Sequence, residues 1–250
     1  MNEAASVAVL TAMLVFCRIG ACLMLLPGVG GRNLPERFRL FLAFALTLAF
    51  VPVLYGAVAP RVELVAPGRL VAMIFAEVLT GALLGLLVRI YISALETLTN
   101  FVAQAVGLAG IAGMSVEDTS LPSLATLIGF AAVALIFIMD LHLEVVRGLL
   151  DSYRAIPAGN LLNLGAGLAS VVDQFSASFL VALRISGPFV LYSIGINIAV
   201  GLINKFTPQI AVYFIAGPFI TAGGLLLLYM SMSQFLSLFM LALGNWLRAQ

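Results

Sequence analysis

Six ionisable residues stand inside apolar stretches or at their edges: Arg18, Glu77, Arg89, Glu96, Asp173 and Arg184. A charge near the centre of a bilayer costs roughly 3 kcal/mol on insertion scales. Such side chains face protein or water and pair with one another. Glu77 and Arg89 are twelve residues apart. At a rise of about 1.5 Å per residue they stand about 18 Å apart, too far to pair within one helix. Their partners must come from elsewhere in the chain or from other subunits. One reading is a proton or ion pathway. The other is a set of ion pairs buried between helices or subunits, and it is favoured because a proton relay needs clustered acids and these are scattered.

Other chemistries find less support. His142 is the single histidine. It lies between Asp140 and Glu144, and on a helix those two acids share a face that His142 does not. That is wrong for a metal triad, and no second histidine or cysteine pair completes one. Cys17 and Cys22 are five apart, about 140° around a helix, so neither a disulfide nor a metal site is expected of them. There is no G-x-S-x-G nucleophile elbow and no G-x-x-x-x-G-K-[ST] phosphate loop, so neither catalysis nor nucleotide-driven work is expected. No metal and no cofactor is expected.

The segment Gly107-Leu-Ala-Gly-Ile-Ala-Gly-Met-Ser115 places Gly107, Gly110 and Gly113 three apart. Each glycine costs a helix about 1 kcal/mol against alanine. Irregular backbone at membrane depth survives only inside protein or beside a water-filled cavity. Two readings fit: a flexible loop that lines or plugs a passage, or close helix packing through small residues followed by an ordinary loop. The serines and methionines from Met230 to Met240 read as packing residues.

The elements that must hold these residues are membrane helices. Of 250 residues, 63% are hydrophobic and 9% charged, against roughly 45–50% and 25% in soluble domains. A soluble surface cannot be built from so few charges, and a net charge of +1 gives no steering towards polyanions. The fold class expected is all-α, an integral membrane protein of kinked helical hairpins, with no nucleic-acid partner. Apolar stretches run over 4–26, 40–60, 70–92, 97–116, 122–139 (continued by an amphipathic 140–154), 168–204 and 207–247. The last exceeds one span, and a break is expected near Gly223–Gly224. The first stretch lacks a basic n-region and is expected to be retained. Loops 27–39 and 61–69 are both net positive, although simple spans would put them on opposite faces. This hints that some helices are not simple lipid-facing spans.

Three blocks of sequence carry a family resemblance. Arg18, Pro27 and Arg32-Asn-Leu-Pro35-Glu-Arg37-Phe-Arg39 are similar to the N-terminal signature of the FliR family, a component of type III secretion export gates. Leu121-Pro122, then Phe137-Ile-Met-Asp-Leu-His142-Leu143, then Asp151-Ser152-Tyr153 and Ile156-Pro157 resemble its central motif, with Asp140-Leu-His-Leu where Asn-Gly-His-Leu is common. Asn204-Lys205-Phe-Thr-Pro208-Gln209, Gly217-Pro218 and Gly224 resemble its C-terminal hairpin. The blocks lie in family order and cover nearly the whole chain.

The resemblance implies a subunit of the flagellar export gate in the bacterial inner membrane, at the basal body, and not an enzyme. It implies assembly with P-type and Q-type subunits into a closed helical pore for unfolded flagellar proteins, with B-type and A-type export-apparatus proteins as further partners. Residues 1–164 would correspond to a P-type subunit and 165–250 to a Q-type hairpin. A plug loop would map onto about 107–121, including Gly107, Gly110, Ile111, Gly113, Met114 and Ser115. There the chain departs from the family, with Gly113-Met-Ser-Val-Glu-Asp-Thr where a Phe-Val-Asp-Pro-like stretch is common. A virulence export system shares this architecture. An ion-coupled transporter using Glu77, Arg89, Asp173 and Arg184 is the reading from another class, and the internal repeats that many transporters show are not seen. An intramembrane enzyme would need His142, which separates it from the export reading. His142→Ala is therefore expected to leave swimming and secretion of flagellar protein near wild type, and complete loss of secretion with normal protein levels would favour the enzyme.

Overall fold

A computed structural model describes residues 3–27, 34–63, 65–107, 124–160, 164–208 and 212–248. All regular structure among the described residues is helical. The helices are α1 (Glu3–Leu25), α2 (Glu36–Val62), α3 (Pro67–Ala105), α4 (Leu124–Ile138), α5 (Leu141–Ala155), α6 (Leu164–Phe206) and α7 (Val212–Arg248). Five of them, α1, α2, α3, α6 and α7, are long and apolar enough to cross a membrane.

The apolar stretches account for most boundaries, with two differences. The stretch expected to begin after Glu96 is the continuation of α3, which runs unbroken for 39 residues. Glu96 lies on the outer surface of that helix, so its charge never meets the packed side and does not end the helix. The break expected at Gly223–Gly224 is also absent, since α7 is continuous for 37 residues. A glycine weakens a helix but keeps its N–H and C=O, and in an apolar medium breaking the ladder would leave those groups unsatisfied.

The long helices outrun a bilayer. At 1.5 Å per residue, the 43 residues of α6 span about 64 Å and α7 about 55 Å, against a hydrocarbon core of about 30 Å. No charged residue lies between Lys205 and Arg248.

The chain forms two compact units. The first holds Met1–Tyr91 and Asp140–Phe175. Its core joins Leu14, Val15, Ile19 and Cys22 of α1 to Phe50, Leu54 and Val58 of α2, with Met73, Leu149 and Tyr153 closing the side. Helix α5 is the amphipathic member. Leu141, Leu149, Ser152 and Tyr153 are buried, while Glu144–Arg147 and Asp151–Arg154 form ion pairs on its outer face. Before α5 the backbone passes through Asp140 with φ +55°, a left-handed conformation that aspartate tolerates better than most residues. The second unit holds Ile92–Met139 and Ser176–Ala249. In it Val102 of α3, Ile128 of α4, Phe189 of α6 and Phe235 of α7 are buried around one small gap.

Lipid gives apolar side chains little reason to leave it, so helices in membranes associate by close packing through small residues. Gly81 and Gly85 of α3, one turn apart, show this against α1. A Cβ on Gly81 would collide with the Arg18 carbonyl, and one on Gly85 would lie 2.6 Å from the Cys22 oxygen. Gly20 has open space. Gly81→Ala is expected to destabilise the folded chain by about 1–3 kcal/mol through overpacking. Gly20→Ala is expected to be neutral or stabilising by up to about 1 kcal/mol. Thermal unfolding of both variants in detergent, with equal losses, would contradict this account of the α1–α3 contact.

Candidate functional site

The sequence gives α1 a single charge at its centre, Arg18, and the structure buries it completely. Nothing on α1 can neutralise it. The counter-ion is Glu77, 59 residues later on α3 and equally buried. The glycines at 81 and 85 bring the two helix backbones close enough for the pair to meet.

The pairing is bidentate. Arg18 Nε donates to Glu77 Oε2 at 2.7 Å, and Nη2 donates to Oε1 at 3.0 Å. Arg18 Nη1 donates to Ser152 Oγ at 3.1 Å, and Nη2 also donates to the Ile156 carbonyl at 3.1 Å. Ser152 can accept because its own proton goes to the Leu149 carbonyl at 2.7 Å. The Arg18 guanidinium carbon stands 3.9 Å from the centre of the Tyr153 ring, a cation–π contact. Glu77 Oε1 accepts a second bond from the Gly159 backbone N–H at 2.8 Å. Gly159 has φ +77°, where a side chain would be strained, and it lies against the Met73 side chain. Arg61 Nη1 adds a 3.3 Å bond to the Ala158 carbonyl.

The arrangement is an ionic clamp. Four hydrogen bonds from the three nitrogens of one guanidinium, with both carboxylate oxygens engaged, tie α1, α3, α5 and the turn 156–160 together. Its two charges cancel, and the guanidinium donors go to Glu77, Ser152 and the Ile156 carbonyl. Its chemistry is that of fixing shape.

The remaining expected residues fall elsewhere. Arg89, Glu96, Asp173 and Arg184 lie on the exterior of the chain, with no ion pair to another described residue. Pro35 precedes α2, Arg37 is exposed in its first turn, and Pro208 is exposed after α6. His142 is half-buried in the first turn of α5, and Pro157 sits in the turn held by the clamp. Pro218 lies within α7, and Gly224 is buried there against Val106. Gly107 lies in the turn after α3 with φ +80°. Gly110, Ile111, Gly113, Met114, Ser115, Arg32 and Gln209 lie outside the described residues. No group of three or more metal-ligating side chains occurs among the described residues.

Nothing in the chemistry of Ser152, Tyr153 and Gly159 alone marks them as members of the clamp. One signal is Ser152 itself, a small polar residue on the buried face of α5 with Leu141, Leu149 and Tyr153. Gly81 and Gly85 carried another in their spacing of four.

Fold and clamp together define an all-α integral membrane protein held by an internal ion pair. The family model described as "Bacterial export proteins, family 1" matches residues 9–245, and the chain belongs to this family. The flagellar biosynthetic protein FliR of Caulobacter vibrioides is 29% identical over 227 residues, covering 90% of this chain and 89% of the relative. FliR of Escherichia coli is 26% identical, covering 84% and 80%, and FliR of Aquifex aeolicus 28%, covering 89% and 85%. The chain is thus of FliR type.

Removing one partner of a buried ion pair strands the other and costs about 3–5 kcal/mol. Arg18→Met and Glu77→Leu are each expected to lose stability on that scale. The double variant is expected to lose less than the two single losses added together, because no charge is left stranded. Additive losses in a thermal double-mutant cycle would show that the pair does not carry the clamp.

Proposed function

We propose that this chain is a core subunit of the flagellar type III protein export gate, which with P-type and Q-type subunits forms the gated pore for unfolded flagellar proteins. Its coarser role follows from its family and helices: a component of the flagellar export apparatus in the bacterial inner membrane. In the finer reading residues 1–164 take a P-type position, 165–250 a Q-type position, and about 107–121 plug the pore. B-type and A-type export-apparatus proteins are its further partners. It performs no catalysis, binds no cofactor and takes its energy from elsewhere.

The observation that carries the assembly is the length of α7. A helix of about 55 Å would need a tilt near 60° to keep its uncharged length in a 30 Å core, beyond the 0–40° range of membrane helices. Only 17% of its apolar window is buried within the chain. A second apolar solvent must cover the rest, and neighbouring subunits of like composition supply it. The same neighbours would meet the exposed Arg89, Glu96, Asp173 and Arg184, whose exposure to lipid would be unfavourable.

Co-expression with P-type and Q-type partners is expected to yield one stable complex, and deletion of Gly110–Ser115 is expected to make that complex conduct ions. A stable monomer that alone catalyses proton-coupled solute uptake would overturn the assembly reading in favour of a transporter. Wild-type conductance and secretion after the deletion would remove the plug.

A further inference from the structure

Helix α3 ends on a specific seat. Val106, fully buried, is the last residue before the turn at Gly107. It fits into α7 at Gly224: a Cβ there would lie 2.6 Å from Val106 Cγ1 and 3.0 Å from Val106 Cα. One residue on, a Cβ at Gly107 would lie 3.2 Å from Thr221 Oγ1. The Gly107 N–H is held by the Gln104 carbonyl at 3.0 Å, closing the turn. On α7 the neighbouring Gly223 leaves space for Tyr192 of α6, whose hydroxyl would be 2.9 Å from a Cβ at 223. That hydroxyl donates to the Ile220 carbonyl at 2.6 Å. Consecutive glycines therefore serve two partners on adjacent sides of one helix: an aromatic strut from α6, and the end of α3.

We propose that the Gly223–Gly224 step of α7, braced by Tyr192, is the socket that anchors the C-terminal end of α3. It fixes where the chain enters the segment after Gly107. The assignment rests on the reading of about 107–121 as the plug for its consequence, that a loosened socket lets the pore leak. The anchor itself stands on described residues alone. Val106, Gly107, Tyr192, Gly223 and Gly224 are positioning residues, acting through the segment they hold.

The test uses the full chain in complex with its P-type and Q-type partners, with Cys17 and Cys22 replaced by serine. A Val106→Cys reporter is expected to react slowly with a membrane-permeant maleimide, and several-fold faster when Gly224→Val or Tyr192→Phe is added. Without the reporter, Gly224→Ala is expected to raise ion conductance while complex yield stays at the wild-type level. Adding Val106→Ala should return part of the closure, because it removes the Cγ1 contact. Tyr192→Phe deletes only a hydroxyl, so it covers the case in which Gly224→Val fails to fold. Equal maleimide rates in all backgrounds overturn the anchor. Faster labelling without leak, where deletion of Gly110–Ser115 does leak, overturns its role in closure. If the deletion itself does not leak, the plug reading fails, and the labelling rates alone decide the anchor.

Discussion

One guanidinium buried at the centre of an apolar helix sets the terms for the first unit of this protein. Arg18 cannot be placed in lipid or core without a counter-ion, and Glu77 meets it in a bidentate geometry. That pairing has prerequisites. Helices α1 and α3 must approach closely, which the missing side chains of Gly81 and Gly85 permit. The remaining donors of Arg18 must find acceptors, so α5 presents Ser152 on its buried face, and the chain after α5 turns back to offer the Ile156 carbonyl. The second lone pair of Glu77 Oε1 then requires the Gly159 N–H, and with it a positive φ. A single charge thus specifies contacts on three helices and one turn. Apolar packing alone would leave their register free, because one leucine surface slides over another at little cost.

The second constraint is the mismatch between helix length and bilayer thickness. Helices α3, α6 and α7 each exceed about 55 Å, while hydrocarbon covers about 30 Å. Water is a poor solvent for the surplus of α7, which carries no charge before Arg248 at its end. The 63% hydrophobic composition therefore serves lipid and protein together. The number of long apolar helices is for the same reason not a count of simple crossings.

Much of this was legible in the residues. Hydrophobic runs bounded by Arg61–Arg69 and by Asn204–Pro208 gave the helix ends to within a few positions, since charge and proline are what apolar media exclude. The need of Arg18 for a distant partner was also legible from the cost of burying a charge. That the partner is Glu77 was not, because 59 residues of chain separate them and spacing rules act only within a helix. The clamp's other members, Ser152 and Gly159, are recognisable as such only once Arg18 is next to them. The four charges on the exterior had the same sequence signature as Arg18 and Glu77. What distinguishes the two sets is which helix face the fold turns inward, a property of packing rather than of residue type.

Glycine was the residue whose meaning changed most between sequence and structure. In a water-exposed chain, Gly223–Gly224 in the middle of an apolar run reads as a break, because backbone freedom is costly and water stands ready to satisfy loosened groups. In an apolar surrounding that alternative disappears, and the helix holds. What remains of glycine is its lack of volume. Gly81, Gly85, Gly223 and Gly224 are each places where a backbone, a tyrosine or a valine comes closer than a Cβ allows. Such contacts are short and unyielding compared with the soft packing of leucine on leucine. A protein poor in charges has few other means of fixing one helix against another. The clamp at Arg18 and the glycine seats are two solutions to that same shortage: one polar, used once in the first unit, and one steric, used in both.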